Sequence, residues 1–122
     1  MLPAVHRMRL GEEFAQAVRR GRRSGSPLLA VHLTVPAGAD AGPARVGVVV
    51  SRAVGTAVVR TRVKRRLRAQ AQARLNLLPA GSLTVLRANP AAATATSSAL
   101  GADLDRALLR VLPQALSRGG RT

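Results

Sequence analysis

The chain has 122 residues, enough for one domain with a modest core. Its 20 Lys and Arg against 5 Asp and Glu leave a net charge of +15, an excess that resists compaction and favours a polyanionic partner. Apolar residues make up 47% and cysteine is absent, which excludes a disordered basic tail, a disulfide framework, a thiolate zinc site and a cysteine nucleophile.

The start, Met1-Leu2-Pro3-Ala4-Val5-His6-Arg7, lacks the apolar run of a signal peptide. No window approaches the roughly 20 apolar residues of a membrane span, so a cytoplasmic protein is expected. Gly11–Gly21 reads as a short helix with Glu12 and Glu13 in its first turn, Arg19 and Arg20 in its last, and Gly21 as its stop. Phe14, the only aromatic residue, would form its inner face with Ala17 and Val18. Leu28–Val35 reads as a strand, Pro36–Pro43 as a loop, and Arg45–Ser51 as a second strand. The two strands look like a hairpin with a long connection.

Thr56 can cap a helix that opens at Ala57 and lasts to about Leu77, before Pro79-Ala80-Gly81. Ser82–Ala88 is another strand, Asn89–Ser98 a loop. The last helix starts near Ser98 and ends at about Leu112 or Leu116, with Leu100, Leu104, Ala107, Leu108, Val111 and Leu112 on one face. These elements imply a single α/β domain over residues 1–116 and a flexible tail over 117–122. The order is α-β-β-α-β-α, with room for a further strand before the central helix. The strand–helix–strand unit from Arg45 to Ala88 should hold its strands parallel, giving a two-layer α+β sandwich with a mixed sheet and helices on one face.

The central helix carries the densest signal. Six of the nine residues in Arg60-Thr61-Arg62-Val63-Lys64-Arg65-Arg66-Leu67-Arg68 are cationic, and no acid occurs between Asp40 and Asp103. Val59, Val63, Leu67 and Ala71 recur every four residues, followed by Leu75 and Leu78. One apolar face can therefore dock on a core while the cations project from its flanks. Such a helix is a rigid cationic surface suited to nucleic-acid phosphate. The cations are nearly all Arg, Lys64 being the only Lys. A GC-rich genome accounts for most of that bias, but not for the shortage of acids. Arg also offers bidentate and stacking contacts suited to structured RNA.

The chain resembles the protein subunit of bacterial ribonuclease P over nearly its whole length. Leu2-Pro3-Ala4-Val5-His6-Arg7-Met8-Arg9-Leu10 is similar to the family's opening, and Glu13-Phe14 with Arg20-Gly21 to its first helix. Val46-Gly47-Val48-Val49-Val50-Ser51-Arg52-Ala53-Val54-Gly55 is similar to its strand and turn, and Arg60–Arg68 to its Arg-rich signature. Thr56 and Thr61 stand where the family usually has Asn.

The resemblance implies that the protein binds a catalytic RNA through Arg52, Arg60, Arg62, Lys64, Arg65 and Arg68. It also implies that the protein cradles the 5′ leader of precursor tRNA beside the sheet, where Phe14 and His32 match aromatic positions. Catalysis and Mg²⁺ would reside mainly in the RNA, with no cofactor held by the protein alone and no obligate protein partner. The family's crossover between parallel strands is left-handed, against the general rule. Phe14 is otherwise a core residue, and His32 a partly buried polar group. Arg66 points to the far side of the helix and His6 is expected to be exposed. The five acids are scattered and neither His has an evident carboxylate or Ser partner, which argues against a protein nuclease. A ribosomal-type or general RNA-binding protein of the same topology is the alternative.

Overall fold

The computed structural model describes residues 2, 4–8, 11–35 and 42–119. The side chains of residues 4, 12–14, 16, 20 and 114–119 are outside that description, as are residues 36–41 of the expected loop. Among the described residues, three α-helices and four strands follow one another as α1 (Gly11–Arg20), β1 (Arg22–Gly25), β2 (Leu29–Thr34), β3 (Arg45–Val49), α2 (Ala57–Ala73), β4 (Leu83–Ala88) and α3 (Ser97–Gly119). The strands form one mixed sheet in the order β1-β2-β4-β3. The β1–β2 and β2–β4 pairs are antiparallel, and β3–β4 is parallel. This is the α+β sandwich with a mixed sheet read from the sequence.

The hairpin expected between the second and third of these strands does not form, because β4 lies between them. Residues Leu83 to Leu86 are all buried, so this strand is apolar toward both faces and belongs inside the sheet. The helical crossover of α2 sets it parallel to β3, and β2 takes its other edge. The hairpin partner of β2 is instead β1, an Arg-Arg-Ser-Gly segment with no apolar alternation to announce it. Its strand geometry rests on the backbone ladder to β2 and on the turn closed by Ser26 N–H donating to Leu29 O at 2.9 Å. The free edge of β3 is met by the N-terminal segment, where Met8 N–H donates to Val46 O at 3.2 Å. His6 is half-buried there rather than exposed, its Nδ1 lying 2.7 Å from Ala44 O.

Both faces of the sheet are covered. Leu29, Val31, Leu33, Val46 and Leu86 share a core with Val63 and Leu67 of α2 and Leu100, Leu104, Leu108 and Val111 of α3. Each fully buried Val or Leu contributes about 1.5–3 kcal/mol. Helices on one face is therefore right for α2 and α3, while α1 lies on the other face, with Ala17 packed on Leu83 and Val85. Val18, expected inward, is 39% exposed. The short helix rides on Ala17 instead.

Several boundaries move. α2 ends at Ala73, and a 3₁₀ turn over Leu75–Leu77 carries the stripe onward. The expected loop after β4 holds a 3₁₀ turn over Pro90–Thr94. Thr96 then caps α3 by accepting from Ala99 N–H at 3.0 Å. α3 runs to Gly119 with Pro113 inside it, so 117–119 are helical rather than tail, and 120–122 lie outside the described residues.

Candidate nucleic-acid interface

The presentation of α2 is set at its N-terminus. Thr56 Oγ1 accepts from Val59 N–H at 3.3 Å, so Thr performs the cap at this position. The preceding Gly55 packs so closely that a Cβ there would stand 2.9 Å from Val59 Cγ1. Val63, Leu67 and Ala71 are buried beneath the helix, which fixes its rotation. At 3.6 residues per turn the remaining positions then fall into three rows.

One flank holds Arg62, Arg66 and Gln70 and continues to Arg74. It faces the Pro90–Thr94 turn and α3, and its polar groups are engaged. Arg62 Nη2 donates to Ala93 O at 3.2 Å, Arg66 Nη1 to Ala95 O at 2.6 Å, and Gln70 Nε2 to Ser97 Oγ at 2.8 Å. Arg74 donates to Gly101 O and pairs with both carboxylate oxygens of Asp105. The Asp105 carboxyl is held below its ordinary range chiefly by that hydrogen bond. Four residues apart along α2, these groups clamp the helix to α3 and the segment that leads into it. Arg62, read from the sequence as an RNA contact, thus spends one of its five donors inside the protein; the rest of the side chain is exposed.

The other flank holds Arg60, Lys64 and Arg68, half-buried, and the outermost ridge holds Thr61 and Arg65, exposed beside Val58. None of these four cations has a hydrogen-bond or carboxylate partner among the described residues, and Arg60 Nε is buried with no acceptor. Arg52 is exposed in the 3₁₀ turn Arg52–Val54, just before α2. The structure brings Arg52, Arg60, Lys64, Arg65 and Arg68 onto this region of the molecule and sets Arg62 at its border. Four uncompensated cations on a rigid helix raise a strong local potential that an anionic surface would neutralise.

His32 sits elsewhere, on the sheet face that carries α1. Register places it in a row with Arg23 of β1, Val85 of β4 and Gly47 of β3. It is 6% exposed and its Nδ1 has no partner. Burial first, then the charges of Arg23 and Arg87, push its pKa below the ordinary histidine value, which favours the neutral imidazole. Phe14 belongs to the neighbouring helix, and its side chain lies outside the described residues.

The described acids build nothing catalytic. Asp103 is buried beneath α3, where its carboxylate accepts from Ser26 Oγ at 2.7 Å, Leu28 N–H at 2.9 Å and an Arg106 guanidinium. Burial raises its pKa, but these three donors outweigh it and the net shift is downward. Its task is to pin the β1–β2 turn to α3. Among the described residues, no three His, Asp or Glu side chains are grouped to share a metal ion, and no helix is long and apolar enough to cross a membrane.

The family model for Ribonuclease P matches residues 2–112 of this chain. The chain belongs to the ribonuclease P protein family. Relatives named ribonuclease P protein component include one from a Nocardioides species, 53% identical over 111 residues that cover 91% of this chain and 95% of that protein. Another, from Streptomyces avermitilis, is 55% identical over 118 residues and covers 92% and 96%. Among solved structures, the RNase P protein of Staphylococcus aureus superposes with a TM-score of 0.74 at 21% identity, covering 86% of this chain and 94% of that one. That of Thermotoga maritima gives 0.68 at 22%, covering 82% and 92%. These two establish the shared fold.

Sequence reasoning missed the clamp formed by Gln70, Arg74 and Asp105, and the anchoring role of Asp103. The i, i+4 spacing of Arg62, Arg66, Gln70 and Arg74 was visible. What it could not supply was the acceptor side, which is largely backbone carbonyl and carries no sequence signature.

Proposed function

We propose that this chain is the protein subunit of ribonuclease P, binding the catalytic RNA and the 5′ leader of precursor tRNA and so assisting RNA-catalysed removal of the leader. The observation that carries the reading is the division of cations on α2. Arg62, Arg66 and Arg74 are partnered within the protein, whereas Arg60, Lys64, Arg65 and Arg68 have no partner among the described residues. A fold that spends its few described acids on α3 and leaves this row bare is built for external phosphate. Arg52 extends the row, and the exposed part of Arg62 borders it. Guanidinium contacts to phosphate are charge-assisted and geometrically selective.

The sheet face beside α1 is the complementary surface, for single-stranded RNA. There His32 stands buried with an unpartnered Nδ1, and a base reaches it only once the side chains over it move aside. In this reading Phe14 and His32 meet the leader. Mg²⁺ is held mainly by the RNA, which performs the hydrolysis, and the protein contributes charge, shape and substrate affinity.

The test is cleavage of a precursor tRNA at low Mg²⁺ by the cognate ribonuclease P RNA, with and without the protein. Cleavage at the mature 5′ end only when both are present is expected. No effect of the protein, where the RNA alone works at high Mg²⁺, would sink the subunit reading and leave a general RNA-binding protein. Charge reversal at Lys64 and Arg65 should abolish assembly without unfolding the chain.

A further inference from the structure

The N-terminal segment lies along the sheet edge farthest from α3. Arg7 forms a single parallel bridge with Val46 of β3, and Met8 N–H donates to Val46 O at 3.2 Å. Ahead of the bridge, Leu2 is 1% exposed and joins the core that holds Val46, Val63 and Leu67. The segment is tied down at Leu2 and again at Met8, and Arg7 is held between them.

The direction of Arg7 follows from the bridge. Paired residues on neighbouring strands carry their side chains on the same side of a sheet. Val46 faces the core under α2, so Arg7 stands on the α2 side, one strand spacing of about 4.8 Å beyond β3. α3 packs on β2 and β1, and α2 on β3. The flank of α2 that bears Arg62, Arg66 and Arg74 is turned to α3 and the segment before it. The opposite flank, with Arg60, Lys64 and Arg68, is therefore turned to the edge where Arg7 stands. Ala71 lines a small cavity together with Val46. That sets the C-terminal half of α2, and with it Lys64 and Arg68, over this part of β3.

The plain explanation is that Arg7 locks the terminus, its Nε donating to Leu2 O at 2.9 Å. This uses one of the five guanidinium donors. The residue is exposed and has no other partner among the described residues. A charge at a sheet edge also resists strand addition. An acid would serve there equally and would relieve the crowding of positive charge beside α2. A further cation set beside the unpaired row adds self-repulsion that an external anion offsets.

We infer that Arg7 is a further contact to the RNA subunit, its Nη groups meeting a phosphate next to those met by Lys64 and Arg68. The N-terminal segment is then a strap that carries one more cation to the row on α2. This rests on the reading that the row binds the RNA subunit.

Two substitutions take the lock and the contact apart. In Arg7→Gln, Nε2 falls where Arg Nε stands, so the donor to Leu2 O is kept and the charge is removed. Arg7→Lys keeps the charge and removes that donor. The full chain is titrated with the cognate ribonuclease P RNA across a salt series, and melted alone. Arg7→Gln should weaken binding about tenfold, flatten the log–log slope by about 0.9 and leave Tm within about a degree. Arg7→Lys should hold the slope and lower Tm by roughly 4 °C. Because the chain has no cysteine, a crosslinker can be placed at one position at a time. At low salt, Arg7→Cys should crosslink the same RNA nucleotides as Lys64→Cys. It should not share those of Leu109→Cys, a position 76% exposed on α3.

If Arg7→Gln keeps the wild-type slope and affinity while Lys64→Gln flattens the slope, Arg7 serves only Leu2, and the contact is refuted while the α2 reading stands. If Lys64→Gln also leaves the slope unchanged, the α2 reading fails and takes Arg7 with it. If Arg7→Gln leaves assembly intact and weakens only the binding of precursor tRNA to the holoenzyme, the phosphate belongs to the substrate and the assignment to the RNA subunit is overturned.

Discussion

Adjacent arginines on α2 should behave oppositely. Arg65 is exposed on the outer ridge with no partner among the described residues, whereas Arg66 donates to Ala95 O at 2.6 Å on the flank that faces α3. Replacing each by Met keeps most of the aliphatic stem and removes only the guanidinium. For Arg66→Met the loss is one charged hydrogen bond to a part-buried carbonyl, worth about 1–2 kcal/mol. In a domain of this size that lowers Tm by roughly 4–8 °C. Arg65→Met should leave Tm within a degree or two, as exposed substitutions usually change stability by less than about 0.5 kcal/mol. The RNA-binding readout runs the other way. Each variant is titrated with the ribonuclease P RNA across a salt series. The log–log slope should flatten by about 0.9 for Arg65→Met, which leaves one phosphate unneutralised, and stay unchanged for Arg66→Met. If Arg66→Met flattened the slope while its Tm stayed at wild type, the division of α2 into a clamped flank and an RNA row would be wrong.

Three further outcomes follow from single residues. Asp103→Ala strands the Ser26 hydroxyl and the Leu28 N–H beneath α3 and should cost about 3 kcal/mol in urea unfolding. The Asp103 carboxyl is held below its unfolded value, so its contribution is full above the unfolded pKa near 4 and is lost as pH falls through the folded one. The variant should therefore show a shallower acid-unfolding profile. The pKa of His32 is also depressed, so the unfolded chain takes up a proton first and stability should fall as pH drops below about 6.5. Thermal melts of His32→Phe between pH 7 and 5 should lack that component, and an unchanged slope would refute a buried neutral imidazole. Gly55→Ala forces a Cβ against Val59 in the first turn of α2. It should lower both Tm and RNA affinity, and equal RNA affinity at reduced Tm would separate the turn from the presentation of the helix.

The elements that sequence determined are those whose own residues contain the instruction. The stripe Val59, Val63, Leu67 and Ala71 specifies the buried face of α2 because helical period and apolarity coincide. Thr56 before it and the Pro79-Ala80-Gly81 break after it bound the element. The surplus of positive charge over residues 60–68 was legible because charge is a property of composition. The sheet was harder. Strand order depends on which edges find each other across long separations, and the sequence near β2 and β3 favoured a hairpin that β4 displaces. β1 was invisible because its conformation comes from the ladder with β2, not from its own Arg-Arg-Ser-Gly residues.

The division of labour among the cations was equally hidden. Arg65 and Arg66 are the same residue type side by side, and a rotation of about 100° around the helix separates a free guanidinium from a clamped one. That rotation becomes a role only when the segment leading into α3 supplies the carbonyl of Ala95 on one side and nothing on the other. The meeting of Arg23, His32 and Arg87 is of the same kind. The three stand on three strands, and sheet register alone brings them to one face. Periodicity and charge are local and can be read along a chain, whereas the partner of a side chain is fixed by packing and register, which only the folded structure decides.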